Sequence, residues 1–429
     1  MHMQKNITFP FFIISILICS SFITRADEYF LFSNAYNKAL SNSNIIKKNE
    51  FLLKSKTKLI SNSYSSKDWN IDFTSSFTLD NKKSDNIGDY IDQKTTVNTI
   101  SLDKTLIDFG YTDMSVEIAL NDKKIAQNNL LLAKQDLFIN TLTSYLNVYN
   151  SNKILNLRIS NVKRFNTAVK ASKLKLSAGT ITPTTVSEAE AKLARSEYDL
   201  AISKTEQLNY INEFKSLIGK DFDLKKLKFP EFKYSLPKSI KEAEKLSLNS
   251  NLKIANILLT KKNTQLSKDK QLASSHPSLD IDLYLKNSES DSVSSTSDYS
   301  SYGTTLTFKS SLFRNKSETS LILSLDENYK SVLEEEKELI RVSKLNTLSL
   351  FNNYVNSDFN VIAADKEYNA SKLALNGVRK EEEFGLRTLL DVLDREADVM
   401  DAEVRLLKSK SDQLLNKYKL LINIGKYNF

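Results

Sequence analysis

Apolar residues recur at helical spacing through most of the chain, and two very long runs dominate the pattern. The first run, about residues 112–178, contains neither proline nor glycine, and its apolar positions drift near a heptad spacing. At 1.5 Å per residue, about 65 helical residues make a rod of roughly 100 Å, and the heptad spacing predicts coiled-coil packing. A second run at 316–383 predicts an equivalent rod. The turn glycines and return helices predicted after the two rods are Gly179 with 183–218 and Gly385 with 389–424.

Before each rod the hydrophobic period changes to two, which predicts strands with one apolar and one polar face. The first pair of strands is predicted at 69–79 and 96–106, and the second pair at 279–285 and 302–308. Two polar stretches without core-forming residues are predicted as the loops that join these strands. They are Asp80 to Gln93 and Asn287 to Ser301, the latter expected to be exposed and mobile.

The second half of the chain repeats the first. An offset of 206 carries Gly179 to Gly385 and Ile218-Gly219-Lys220 to Ile424-Gly425-Lys426. Near the start of each half, Asn42-Ser43-Asn44 aligns with Asn249-Ser250-Asn251 at an offset of 207, within helices predicted at 33–62 and 238–274. Each repeat therefore reads as helix, β-hairpin, very long helix and return helix. The predicted domains are a signal peptide at 1–26, a first repeat at 27–220, a linker at 221–237 and a second repeat at 238–429.

The first 26 residues have the pattern of a secretory signal peptide. Lys5 precedes a mostly apolar run, and Thr24-Arg25-Ala26 places small residues before a cut at Asp27. The run is short for a membrane span, although an uncleaved anchor stays an alternative. Cys19, the only cysteine, follows Ile18 where a lipidation site needs a small residue, which disfavours lipidation. The mature chain is therefore expected to be exported and to lack disulfides, thiolate metal sites and transmembrane helices.

Composition gives no support for catalysis, for a cofactor or metal, or for nucleic-acid binding. The net charge is +8, but the basic residues alternate singly with acidic ones, as on solvated helix faces. The chain has two histidines, His2 and His276, and neither a Gly-rich phosphate loop nor a metal-spaced cluster. The scarcity of glycine (8) and proline (5) agrees instead with few turns and very long helices.

Four strands cannot close a barrel, and an open sheet leaves unpaired edges. Three chains would supply twelve strands, enough for a barrel in an outer membrane. We therefore expect a mainly α fold with a small β part, arranged as a trimeric 12-stranded β-barrel continuous with a long α-helical barrel.

The chain resembles the TolC family of outer-membrane efflux and type I secretion channels. The duplicated plan covers essentially all of the mature chain, and the stretch from Gly385 to Asp394 is close to the turn of the family's second repeat. The Asn-rich triplets at 42–44 and 249–251 lie where the family has Asn-Pro-like helix ends, and 102–110 and 308–313 resemble its strand-to-helix junctions. The resemblance implies a homotrimer in the outer membrane of a Gram-negative bacterium, with a large periplasmic part. The implied partners are outer-membrane lipid, a periplasmic adaptor, and an inner-membrane ABC or proton-driven transporter.

The resemblance also implies functional residues at the closed periplasmic tip. Asp391 and Asp394 match aspartates that ring the inside of the tip as a cation filter; without the resemblance they read as acids favoured at a helix N-terminus. Arg387 matches the arginine that tethers the tip by bonding to the neighbouring turn, here Thr184 and Thr185. The family usually has an acid at the position of Thr185 and a tyrosine at the position of Glu382. The resemblance therefore does not fix which residues bond to each other to hold the gate closed. The expected adaptor-docking rim is Gly179, Ile181, Gly385 and Leu386.

The sequence thus predicts a passive exit duct whose cargo and transporter it does not reveal. A second interpretation is a soluble periplasmic coiled-coil adaptor or scaffold. Adaptors of that kind carry one helical hairpin flanked by Gly-rich β domains, whereas this chain has two hairpins and period-two strands. A third, a secreted enzyme, has no supporting residues.

Overall fold

The structure is a computed structural model that describes residues 31–83, 90–292, 295–310 and 316–427. The predicted signal peptide and Cys19 lie outside the described residues, as does part of the second strand-to-helix junction, including Phe313. None of the helices in the described ranges is both long and apolar enough to cross a bilayer.

The chain folds as two copies of the same series of elements. The first copy comprises α1 Phe32–Asn42, α2 Asn44–Ser65, β1 Asn70–Lys83, β2 Tyr90–Ile107, α3 Tyr111–Ser177 and α4 Pro183–Ile218. The second comprises α5 Ile240–Ser250, α6 Leu252–Ala273, β3 Ser278–Ser292, β4 Ser295–Lys309, α7 Lys316–Glu383 and α8 Leu389–Asn423. Between them, residues 219–239 hold only a short 3₁₀ turn at Leu224–Lys226. The prediction of a mainly helical tandem repeat with four strands is confirmed.

The helix predicted at 33–62 is two helices, and so is its counterpart at 238–274. The chain breaks at Ser43 and at Asn251, where the backbone is extended and the side-chain oxygen accepts hydrogen bonds from the helix that follows. Such residues favour helix N-caps over helix interiors. The breaks are 208 positions apart, so the sequence alignment at 207 was wrong by one residue. The Asn-rich triplets do mark helix ends, but not in equivalent register.

The hairpins are longer than predicted, and the two polar loops are mostly strand. β1 pairs with β2 out to Lys83 and Tyr90, and β3 pairs with β4 out to Ser292 and Ser295. The prediction of a loop at Asn287 to Ser301 was therefore wrong, because the described part of this stretch is paired strand. The backbone ladder continues without apolar alternation because polar side chains pair across the strands. For example, Gln93 Nε2 donates to Ser290 Oγ at 2.8 Å.

The four strands form one antiparallel sheet in the order β1-β2-β3-β4, so the two repeats join through β2 and β3. One face of the sheet is apolar and uncovered within the chain: Ile71 and Phe73 are 72% and 69% exposed. The other face carries Asp72 and Thr74, which alternate with them. Because this apolar face is uncovered, we expect a further apolar surface to contact it.

The long helices α3 and α7 contain 67 and 68 residues, which corresponds to roughly 100 Å each. Each packs along its own return helix, α3 with α4 and α7 with α8, and α3 also packs along α8. The two helical hairpins thus lie side by side, with α8 and α3 in contact.

The main core lies at mid-length, where α1 and the inter-repeat segment cover the helices. Phe138, Leu142 and Leu146 of α3 pack against Leu414 and Tyr418 of α8. A second cluster contains Tyr145 and Phe214 and is closed by Leu227 from the inter-repeat segment. Tyr145 Oη donates to the Lys228 carbonyl at 2.8 Å and accepts from the Lys228 N–H at 3.1 Å. The segment therefore fixes the helices together as well as connecting them.

Candidate functional site at the helical tip

The two α–α turns lie together at the end of the rods farthest from the sheet. Gly179 and Gly385 both have φ of +73°, and a β-carbon on either would meet no atom within 4 Å. Each glycine follows the last helical turn, and the next N–H reaches back five residues, Leu386 N to the Glu381 carbonyl at 2.8 Å. This is the glycine-terminated helix end of the Schellman type. Backbone conformation, rather than crowding, requires glycine here.

The return helices begin at equivalent threonines, but only the second has a complete capping box. Thr388 Oγ1 accepts from the Asp391 N–H at 3.2 Å, and the Thr388 N–H donates to Asp391 Oδ2 at 2.9 Å. At the first, the Thr182 hydroxyl accepts a long bond from the Thr185 N–H, at 3.4 Å, and Pro183 follows it. The N-terminus of the second return helix is therefore better capped than that of the first.

Asp391 is the acid of this capping box. The backbone N–H and the hydroxyl of Thr388 both donate to its carboxylate, and this lowers the pKa of Asp391 below its usual value. The positive charges of Arg387 and Lys192 act in the same direction. Asp391 is consequently ionised at neutral pH and serves as a cap within its own chain. The pore role expected for Asp391 would be additional to this cap.

The other residues expected at the gate have partners within the chain. Asp394 forms an ion pair with Lys192 of the first return helix. Arg387 Nε donates to Glu381 Oε2 at 3.0 Å, on its own turn, and not to the expected region at Thr184 and Thr185. Within the chain, the Thr185 hydroxyl instead lies 3.2 Å from that of Thr182. Arg387 therefore bonds within one turn, and a bond to a neighbouring copy would have to compete with Glu381.

An exposed apolar patch surrounds the second turn. Leu386 is 74% exposed, and the preceding Phe384 is 80% exposed. Leu174 of the first rod is also exposed, whereas Ile181 is half-buried. Leu386 and Ile181 were predicted from the sequence, whereas Phe384 and Leu174 were not. A signal was available for Phe384, because it is a large apolar residue directly before the turn glycine Gly385.

Farther from the turns, a group of charged side chains that was not predicted from the sequence lies between α3 and α8. Glu396 is 8% exposed. Arg379 Nη2 donates a hydrogen bond to Glu396 Oε1 at 2.5 Å. Arg164 Nε lies 3.2 Å from Glu396 Oε2, but its N–H is not aligned for a hydrogen bond. Arg158 Nη1 lies 3.5 Å from Asp199, and its Nη2 lies 3.6 Å from Asp401. Glu396 falls three residues after Leu393 and four before Met400, which are both buried. This helical spacing places Glu396 on the buried face of α8 and was the available signal of its burial.

No group of three His, Cys, Asp or Glu side chains in the described ranges has the geometry to hold a metal ion.

Comparison with known proteins agrees with this architecture. Residues 35–220, the first repeat, match the family model of the outer membrane efflux protein. The chain is similar to the outer-membrane channel OprN at 13% identity, with a TM-score of 0.80 over 92% of this chain and 89% of that one. It is similar to the CmeC outer membrane channel of Campylobacter jejuni at 14% identity, with a TM-score of 0.78 over 92% and 85%. It is similar to the open state of the MtrE outer membrane channel of Neisseria gonorrhoeae at 15% identity, with a TM-score of 0.76 over 92% of this chain and 88% of that one. No curated protein sequence matches the chain.

The family model covers the first repeat, and the second repeat has the same fold and a corresponding sequence. The structural similarity extends over both repeats. The family consists of channels and not of enzymes, which confirms the prediction that this chain is not an enzyme. Over its first repeat the chain matches the outer membrane efflux protein family, and over both repeats it has the fold of the outer-membrane channels.

Proposed function

We propose that this protein is the passive exit duct of a tripartite efflux or type I secretion system, docked to a periplasmic adaptor and an inner-membrane transporter. The observation that carries the proposal is the combination of a one-sided sheet with two rods of about 100 Å. A single chain leaves the apolar sheet face bare and both sheet edges unpaired. Such a chain is incomplete alone.

The match of the first repeat to this family implies a trimer, and three copies would complete the sheet as a barrel of twelve strands. Ile71 and Phe73 would then face lipid, and Asp72 and Thr74 would line the lumen. The helical hairpins would continue this tube into the periplasm. Cargo would move through an aqueous path, with energy supplied by the transporter.

The tip is the proposed gate. Asp391 is the stronger candidate for the cation filter, because the groups of Thr388 that bond to its carboxylate are uncharged and leave it its negative charge. Asp394 contributes less free charge, since Lys192 neutralises it within the chain. Arg387, with Thr184 and Thr185 of a neighbouring turn as acceptors, is the proposed tether of the closed state. Opening would require Arg387 to exchange between that turn and Glu381.

The exposed patch beside the second turn is the proposed docking rim. Gly179 and Gly385 keep the turns tight, and Ile181 and Leu386 offer apolar side chains. Phe384 extends this patch. A helical hairpin of an adaptor with complementary apolar positions would cover it.

The deciding experiment is fractionation of cells followed by single-channel recording. We expect heat-modifiable trimers in the outer membrane and cation-preferring currents in planar bilayers. Replacing Asp391 and Asp394 with Ala should reduce the cation preference, whereas Glu197→Ala, an exposed acid on α4 away from the turn, should not. Unchanged selectivity in the double variant would rule out the filter. A soluble periplasmic monomer would support the alternative, a coiled-coil adaptor or scaffold, and overturn the duct.

A further inference from the structure

We propose that the helical wall carries, near its mid-length, a binding site for a small organic ammonium ion, formed between α3, α4 and α8. This inference rests on the proposed function, because it places the site on the inside of a trimeric duct. The site is a cavity of about 230 Å³. Its floor includes the buried residues Asn150, Ser203 and Ser411, and its rim includes the exposed residues Glu206, Lys408 and Asp412.

The floor of the cavity contains a hydrogen-bond acceptor that has no donor. Asn150 is 9% exposed, and its Nδ2 donates to Ser411 Oγ at 2.8 Å. Its Oδ1 is buried and has no hydrogen-bond partner among the described residues. A buried polar atom that stays unpaired is unfavourable. A ligand that brings an N–H into the cavity would therefore be stabilised by Asn150.

The rim adds a requirement for positive charge. Two carboxylates, those of Glu206 and Asp412, face one lysine, Lys408, so one negative charge is uncompensated. Burial raises the pKa of Asp412 above its usual value, although the charges of Lys419 and Lys408 act in the opposite direction. The carboxylate has therefore lost hydration that the two lysines do not replace, and a bound cation would compensate for that loss.

These two requirements define the chemical class of the ligand. The acids of the described residues are not placed to hold a metal ion, and a metal ion has no N–H for Asn150 Oδ1. The cavity is also smaller than the roughly 300–1,000 Å³ of pockets for drug-sized ligands. A primary ammonium ion with a short carbon chain meets the requirements for charge, hydrogen bonding and size.

The cavity opens on the side of α3 that faces away from the inter-repeat segment. Tyr145 of α3 lies under that segment and donates to the Lys228 carbonyl. Ile154, which lines the cavity, is nine residues later and thus about 180° around α3 from Tyr145. A conducting duct requires the inter-repeat segment on its outside, because the segment would otherwise fill the bore. The cavity therefore faces the lumen of the proposed trimer.

The duplication repeats the main residues of the site at the same level of the wall. The offset of 206 carries Asn150 to Asn356 of α7, and Glu206 to Asp412 of α8. Two equivalent hydrogen bonds show that the hairpins share this register, Gln207 to Asn152 at 3.1 Å and Gln413 to Asp358 at 2.7 Å. In a closed ring, Glu206 of the neighbouring copy would complete a second site at Asn356. Asparagines and acids would then alternate around the lumen.

Calorimetric titration of the full-length, detergent-solubilised trimer with putrescine tests the acceptor in the floor. The control ligand is permethylated putrescine, which has the same charge but no N–H. We expect putrescine to bind at least about tenfold more tightly than this analogue, and Asn150→Leu to remove the difference. Asn150→Asp keeps an acceptor and should bind putrescine at least as tightly as the parent. All variants must form heat-modifiable trimers.

The acids of the rim are tested by exposed substitutions that leave the buried floor intact. Glu206→Gln combined with Asp412→Asn should weaken putrescine binding at least about tenfold. Glu197→Gln is the matched control, because Glu197 is also exposed but lies about 180° around α4 from Glu206. In planar bilayers, putrescine should reduce the current through the parent. The double variant should need at least about tenfold more putrescine for the same block.

Each other outcome overturns a different statement. If the parent does not bind putrescine, or if these variants do not change its binding, the site is wrong while the duct stands. Equal affinity for putrescine and its permethylated analogue would rule out Asn150 as the acceptor and an N–H donor as the ligand. Binding that depends on the rim acids but does not reduce the current would place the cavity outside the lumen. A parent trimer that conducts no ions overturns the proposed function, and calorimetry still tests the cavity.

Discussion

Gly219 lies directly against Asn42, the last residue of α1. A β-carbon built on Gly219 would lie 2.5 Å from Asn42 Oδ1. Asn42 Nδ2 donates to the carbonyls of Ser216 and Leu217 at 3.0 and 3.1 Å, at the C-terminal end of α4. The second repeat has the same close approach between Gly425 and Ser250. In both repeats, therefore, the return helix ends by closing on the break between the first two helices.

Gly219→Ala should destabilise this junction for two reasons. The φ of +68° costs a residue with a β-carbon about 1–2 kcal/mol, and displacing Asn42 removes hydrogen bonds of about 1 kcal/mol. Thermal unfolding followed by circular dichroism should show a lower midpoint. Gly377→Ala is the matched control, because Gly377 lies inside α7 with nothing within 4 Å of a β-carbon; it should be neutral or stabilising. Equal effects of the two substitutions would contradict this account.

The capping box at the second turn predicts a pH dependence. Hydrogen bonds from the backbone and side chain of Thr388 lower the folded-state pKa of Asp391 below its usual 3.8. A carboxylate with a lowered pKa stabilises the fold fully above its unfolded pKa, and this contribution is lost as the pH falls through the folded value. Between about pH 6 and about pH 3, the parent should therefore lose more thermal stability than Asp391→Asn. If the thermal stability of the parent and of Asp391→Asn falls equally with pH, the capping acid does not contribute to the stability of the fold.

The sequence was sufficient for the rods and turns because these depend on local rules. Gly385 ends a long apolar period and is followed by Thr388, a residue typical of N-caps. The breaks at Ser43 and Asn251 were missed, since apolar spacing continues through both. The outer parts of the hairpins were missed for the opposite reason: Asn287 and Ser290 show no apolar alternation, although their backbones pair as strand.

The candidate site was predictable in position but not in its internal contacts. Glycine turns and the capping acid Asp391 are visible as a local motif. The partners of Arg387 and Asp394 are not, because each could reach several opposite charges within one or two helical turns. Burial of Glu396 depends on the packing of α3 against α8, which involves residues more than 200 positions apart. The spacing of Glu396 from Leu393 and Met400 was a local signal of its burial, but the local pattern does not identify Arg164 and Arg379 as its partners.

Two equivalent acids give a matched test of burial. Glu190 and Glu396 are 206 positions apart and pair with the equivalent residues Lys173 and Arg379, at 2.7 and 2.5 Å. Glu190 is exposed and Glu396 is buried. Glu396→Ala should cost roughly 1.5–3 kcal/mol, as for hydrogen bonds to charged groups, and Glu190→Ala at most about 1 kcal/mol. Denaturant or thermal unfolding of the two variants measures the difference, and equal losses would show that burial does not distinguish them.

The sheet offers the sharpest test of membrane insertion, because adjacent residues face opposite sides. Phe73 lies on the apolar face and Thr74 on the polar face of β1. If the apolar face contacts lipid, Phe73→Arg places a charge in the bilayer at a cost of roughly 2–4 kcal/mol near its midplane. The same charge at Thr74→Arg would face an aqueous lumen. We therefore expect fewer heat-modifiable trimers in the outer membrane for Phe73→Arg and normal amounts for Thr74→Arg. The reverse result would place lipid on the polar face, and equal loss would show that either substitution disrupts the sheet itself.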